Sequence, residues 1–416
     1  MNPLLPFPGF IPDVEAHTMP DGRLYLYGSL DESGSPEYCS RSLKVYSTAD
    51  PLMREVTDHG IVITNTAAAG GIPGHVGVPF YAPDALYVGG KYLLYYCGAD
   101  GMEGTAVSDS PAGPFTDPQP LEVADGDGID PCIFVDDDGS VYYFWGGGTL
   151  RGAQLTPDGR HLIPETVHRG ILTEWEHGFH EGSSIRKRNG IYYLVYTDIS
   201  RGRATCISYA TSRSVFGPYT KGGVIIDNTF CDNSTWNNHG SIAPYGGKWY
   251  VFYHRSSQDS NTSRRVCVEP ITFGADGSIA EVVMTSGGAE GELSAFRTLP
   301  AACACRIRGD MIVHPDPTNT KEILSRHNSG PYEGSWAEYR YLDFGFGAKS
   351  FTLKAAGHCH ISVRISGMGE VASLTLDSDE LREIIVPLTR TPTGTHVLWL
   401  VLGGMQAELD SFRFDA

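Results

Sequence analysis

The chain has 416 residues, 41% of them hydrophobic, and a formal charge of −18 from 31 basic and 49 acidic side chains. The acidic balance and the lack of any basic run exclude nucleic acid and anionic membrane surfaces as partners, since both require clustered Lys and Arg. A neutral ligand, such as a sugar, fits. Length predicts about two domains.

From the N-terminus, MNPLLPFPGFIPD lacks the basic region and long apolar core of a signal peptide. No later stretch reaches the roughly 18 apolar residues of a membrane span. A cytoplasmic location is the expectation. Nine cysteines occur without a C-x-x-C pair, Cys303 and Cys305 being closest. They read as buried or free thiols of a reducing compartment.

Short aromatic strands punctuated by Gly, Pro, Asn and Asp dominate, so the chain is predicted to be all-β. One plan recurs at 12–29, 83–98, 130–147, 181–198 and 239–256: a polar opening residue, a short run, a glycine turn, an aromatic strand. A second echo, at 108–116 and 211–220, reads as an outer hairpin. Five four-stranded units predict a five-bladed β-propeller over residues 1–300. A two-sheet sandwich gives no reason for five repeats. Beyond the last repeat, 333–345, 351–365, 394–404 and 408–415 alternate apolar and polar residues. They predict a β-sandwich of jelly-roll type over 301–416.

The units open on Asp13, Asp84, Asp130, Glu181 and His239, each six to nine residues before a turn glycine: Gly22, Gly90, Gly139, Gly190 and Gly247. In a propeller the innermost strands line the axis, so these openings are expected to converge at one end of it. Crowded carboxylates cannot all ionise comfortably. Repulsion and burial push their proton affinities apart, leaving one protonated and another charged. A glycosidase uses that pair to protonate a leaving oxygen and to activate water or attack the sugar. Phe80, Tyr81, Trp145, Trp236 and Phe230 are candidates for the aromatic floor of a sugar site. His75 and His180 are candidates to reach hydroxyls.

The segments FIPDVEAH, FYAPDALYVGGKYLLYY, GIDPCIFVDDDGSVYYFWGG, HEGSSIRKRNGIYYLVYT and NNHGSIAPYGGKWYVFYH, in this order over about 10–256, resemble glycoside hydrolase family 43. The resemblance implies a five-bladed propeller and an inverting mechanism with three acids. By motif, Asp13 would be the general base, Glu181 the general acid and Asp130 the group that tunes the acid. An inverting pair stands roughly 6.5–9.5 Å apart. The family usually places Pro directly after the base, whereas here Pro12 precedes Asp13 and Val14 follows. Glu15 and Asp31 are the alternatives for that role. Tyr81-Ala82-Pro83-Asp84 resembles the family's Trp-Ala-Pro-Asp turn, making Asp84 a structural group or a hydroxyl contact. Arg255 matches a basic residue that faces the family's active site. His239 matches an axial His that holds water or a metal, often calcium, in the channel, although a lone imidazole is a poor calcium ligand. The reaction itself requires no cofactor.

The C-terminal run resembles a family 6 carbohydrate-binding module at Trp336-Ala337-Glu338-Tyr339, at 394–400 and at Leu409-Asp410-Ser411-Phe412. Glu408 stands where such modules carry a sugar-binding Asn, and no exposed aromatic pair is evident, so bracing of the propeller is the expected role. Long insertions at 64–80 and 227–238 are expected to wall a pocket rather than an open groove. The resulting expectation is an inverting exo-glycosidase releasing terminal α-L-arabinofuranosyl or β-D-xylosyl units from plant-type oligosaccharides. An endo-arabinanase or exo-galactanase of the same fold, and a non-catalytic glycan-binding propeller, are the alternatives.

Overall fold

The structure, a computed structural model, describes residues 1–123, 128–327 and 334–416. Residue 333, where one predicted strand run begins, lies outside them. Five antiparallel sheets follow one another along the chain. The first comprises Glu15–Thr18, Leu24–Gly28, Ser42–Thr48 and Thr57–Thr64. The second comprises Phe80–Val88, Lys91–Gly98, Glu103–Ser108 and Thr116–Pro120. The third runs through Cys132–Val135, Val141–Trp145, Thr149–Leu155 and His168–Thr173, and the fourth through Phe179–Arg188, Ile191–Asp198, Cys206–Ser212 and Thr220–Asp227. The fifth has Ile242–Tyr245, Lys248–Ser257 and Ser260–Ile271. These are the blades of a five-bladed β-propeller.

The aromatic strands are apolar on both faces because each blade is packed between two others. Side chains alternate faces along a strand, so neighbouring residues feed different interblade cores. Leu94 and Tyr96 join Tyr25 and Val45 between blades one and two. Tyr95, between them in sequence, joins Tyr143 and Trp145 between blades two and three. Phe144 and Tyr196 meet between blades three and four, and Val195 and Tyr253 between four and five.

Ring closure joins the fifth blade to the first. Leu24 and Leu26 pack with Phe252 and Val266, and Val14 forms a parallel bridge to Gly240. The Ser241 hydroxyl donates to Val14 O and accepts from Ala16 N. Outside, the N-terminal segment lies along the fifth blade's third strand. Leu4 N donates to Val266 O. The buried Asn2 amide acts as a surrogate peptide group, donating to Val268 O and accepting from Val268 N at 3.0 Å each.

The C-terminal part is a β-sandwich whose nine strands surround one apolar core that includes Leu293, Leu299, Tyr339, Leu353 and Phe412. Its first strand is Leu293–Ser294, ahead of the boundary expected at residue 301, because Leu293 and Leu299 already point into that core. It docks on the propeller through the Arg265–Glu322 ion pair and through Asn233, whose amide donates to Gly309 O and Met311 O. All nine cysteines are buried and unbridged. Among the described residues no helix is long and apolar enough to cross a membrane.

Candidate active site

The inner strands deliver acids to one end of the channel through local backbone turns. Asp13 and Asp130 stand just before the first and third inner strands in left-handed conformations, with φ of 57° and 53°. For a residue with a Cβ this costs roughly 1 kcal/mol. The strain is tolerated where the surrounding structure dictates the direction of the side chain. Glu181 lies inside the fourth inner strand, at a bulge: it pairs with Thr197, while Ser184 pairs with Val195. Gly182 closes that bulge at φ 67°, and a Cβ there would lie 2.8 Å from the His239 ring.

A cavity of about 230 Å³ opens at this end, and Asp13, Asp130 and Glu181 all line it. His180 and His239 form part of its wall, Tyr81 and Tyr38 supply aromatic surface, and Trp236, 52% exposed, stands at the rim. Seven of the sequence candidates therefore meet here.

Six do not, and each departure has a packing reason. Phe80 is fully buried edge-on to Tyr96 in the core between blades one and two. Trp145 is fully buried beside Tyr143 in the next core. His75 pairs with Asp100 at 2.7 Å, away from the cavity. Arg255 turns outward to the Tyr253 hydroxyl, Thr285 O and Glu269. Asp84 lies deeper in the channel, fully buried, accepting from Ala85 N and Ile133 N and paired with His17 at 2.7 Å. Phe230 also stands apart, beneath the Arg308 guanidinium.

Arg264, Cys39, Ile129 and Asn237 line the cavity without having been singled out in the sequence. Arg264 is the most consequential. It holds Asp31 with two hydrogen bonds and reaches Asp13 Oδ1 with a third, all at 2.9 Å. Its guanidinium covers the Tyr38 ring at 4.9 Å. Asp31 is thus the anchor of this arginine, not a group facing the cavity. Strand parity was the available signal: Arg264 and Arg265 are adjacent and point to opposite faces. Arg265 pairs across the hairpin with Arg255, and Arg264 with Ser256.

The three acids sit in different fields. Burial acts to raise the Asp13 proton affinity, but Arg264, His254 and His239 outweigh it and hold this carboxyl well below the usual range. Ser29 donates to its second oxygen at 2.8 Å. Asp130 is pushed up to about 7, by burial first and the charge of Asp13 second. Glu181 is also pushed up to about 7, by burial and then by Asp130. His239 stands between the first two, its Nδ1 3.7 Å from Asp13 and 3.9 Å from Asp130. Near neutral pH the cavity therefore holds one committed carboxylate and a carboxylic acid able to give up a proton, the division of labour that acid–base hydrolysis needs.

The surroundings of His239 do not fit calcium, which takes six to eight oxygen ligands. The nearest carboxylate, Asp13, is already held by Arg264 and Ser29. A different trio, Glu15, His17 and Asp84, brings donor atoms within 4.8 Å of one another. Arg186, 2.8 Å from Glu15, supplies positive charge there. Glu15, pinned in this network, does not reach the cavity.

The model of the glycosyl hydrolases family 43 matches residues 1–279. A xylosidase/arabinosidase of Thermoclostridium stercorarium is 29% identical, over 99% of this chain and 98% of its own length. Among solved structures, a Bacillus subtilis arabinoxylan arabinofuranohydrolase in complex with cellotetraose is 26% identical with a TM-score of 0.58, covering 100% of this chain and 97% of its own. A β-xylosidase/α-arabinofuranosidase from a compost metagenome, in complex with xylotriose, is 32% identical with a TM-score of 0.58, over 68% of this chain and 97% of its own. With the family model spanning the whole propeller and the three acids gathered at its mouth, the chain belongs to glycosyl hydrolase family 43.

Proposed function

We propose that the protein is an inverting, exo-acting glycosidase that releases terminal α-L-arabinofuranosyl or β-D-xylosyl units from plant-type oligosaccharides. The observation that carries this reading is that Asp13, held by Arg264, and Glu181, raised by burial and Asp130, face one cavity of about 230 Å³. The small cavity favours a single terminal sugar over an internal stretch of chain. The relatives named xylosidase/arabinosidase support the sugar class.

Asp13, ionised, accepts a proton from water as that water attacks the anomeric carbon. Glu181, protonated, gives its proton to the leaving oxygen. Asp130 acts through Glu181: its charge raises the affinity of the acid for its proton. Its own carboxylate is steadied by the Gly182 N–H. Arg264 keeps Asp13 charged and fixed. No cofactor takes part in these steps. The C-terminal sandwich braces the propeller through the Arg265–Glu322 contact.

The test compares wild type with Glu181→Gln on nitrophenyl arabinofuranoside and xyloside and on unactivated oligosaccharides. Activated leaving groups need less protonation. Turnover of the oligosaccharides should fall at least about a hundredfold, and that of the nitrophenyl substrates by less. Equal, undiminished turnover on both would remove Glu181 as the acid. Proton NMR of the first-formed anomer reads inversion directly.

A further inference from the structure

Trp175 is 94% exposed, on the short helix Glu174–His177 that links the third blade to the fourth. The turn is firmly built. The Thr173 side chain accepts from Glu176 N, and Gly178 closes the helix at φ 72°, donating to Glu174 O. His177 is buried: its Nδ1 accepts from Thr173 N, and its carbonyl accepts from the Tyr196 hydroxyl at 2.8 Å. A tryptophan contributes to folding by burial, so this rigidly presented indole contributes little to it.

A single exposed apolar side chain is ordinary. Three further observations set this one apart. A cleft of about 480 Å³ lies beside the indole, bounded by Gly178, Ile199 and Ser200 together with Glu174, Glu176 and Lys221. The Glu174 and Glu176 carboxylates have no protein partner among the described residues, whereas Lys221 is held by Asp198 and Ser200. The turn is also tied to the wall of the catalytic cavity. Glu174 N donates to Gly148 O, and Gly148 N donates to the carbonyl of His180, which lines that cavity. Two such hydrogen-bonded spans place the cleft roughly 10 Å from the cavity wall.

We infer that Trp175, with the carboxylates of Glu174 and Glu176, forms an outer subsite for the neutral glycan chain whose terminal unit occupies the catalytic cavity. The chemistry of the two partners matches. The C–H face of a sugar ring lies flat on an indole, and its hydroxyls donate to carboxylates that the protein leaves unpaired. The anchored turn presents these groups with little ordering cost on binding. The inference rests on the hydrolase reading above.

The test is Trp175→Ala, assayed on arabinoxylan and on nitrophenyl arabinofuranoside, which reaches only the cavity. The ratio of kcat/KM on polymer to kcat/KM on the nitrophenyl glycoside should fall about fivefold, through KM, with partial recovery in Trp175→Phe. A ratio equal to that of wild type overturns the subsite. If the wild type cleaves neither substrate, the hydrolase reading fails instead. Affinity electrophoresis in arabinoxylan gels then decides the subsite alone: retardation lost in Trp175→Ala sustains it, and equal migration of the two proteins, retarded or not, overturns it.

Discussion

Asp130→Asn isolates the coupling on which the proposed mechanism depends. Glu181 acts while protonated, so activity is present below its pKa and lost as pH rises through about 7. The distance from an ordinary 4.5 to about 7 corresponds to about 3 kcal/mol. Burial is the larger cause and survives the substitution. The field of Asp130 is the second cause, and the removal of one nearby like charge is taken as about one pH unit, about 1.4 kcal/mol. Asparagine removes the charge and retains an oxygen for the Gly182 N–H. The basic limb of kcat/KM on an unactivated oligosaccharide should therefore move from near pH 7 to near pH 6. Well above both limbs, that is about a tenfold deficit beyond any loss at the optimum. The limb should also sharpen to a single proton, since wild-type Asp130 and Glu181 titrate in the same range and report as a pair. The assay is a pH–rate profile from 4 to 9 on both proteins. A limb that stays at pH 7, or climbs, refutes the coupling whatever the absolute rate.

Two further perturbations probe the scaffold. Arg264→Met leaves Asp13 and Asp31 buried without their common cation. It should cost about 3–5 kcal/mol in urea unfolding and raise the acidic limb of the pH profile, because Asp13 then protonates more readily. An unmoved acidic limb would mean that the arginine does not set the charge of the base. Asn2→Ala deletes a fully buried amide that bonds to both backbone polar atoms of Val268, its N–H and its C=O. A loss of about 2–3 kcal/mol is expected from the orphaned groups, with unchanged KM. A melting temperature equal to wild type would show that the N-terminal segment does not help close the ring.

Much of the site was written in the chain because the repeat keeps one interval. Asp13, Asp130 and Glu181 each stand nine residues before a turn glycine, and the structure places all three in the cavity. Asp84 broke that interval at six residues before Gly90. The residue at nine is Tyr81, which lines the cavity and occupies the same bulge position in blade two that Glu181 holds in blade four. Holding the interval constant would have preferred Tyr81 to Asp84 as the opening of that unit. The aromatic candidates were harder to separate. Phe80 and Tyr81 are adjacent and differ only in face, and a strand buried on both sides carries no polar alternation to say which face is which.

Composition, turn spacing and the five-fold recurrence by themselves determined that this protein is all-β, bladed, and equipped with acids at equivalent openings. Those are local properties, repeated every blade, and a period survives in one dimension. Only the tertiary structure decided which arginine commands Asp13, that Asp84 belongs to the channel interior with His17, and that Trp145 is core while Trp175 faces water. Each of these turns on which face of a strand or turn meets a blade distant in sequence. Proton affinities follow from that three-dimensional neighbourhood: the carboxyl of Asp13 is held low beside Arg264, and that of Glu181 is pushed up by burial and by Asp130.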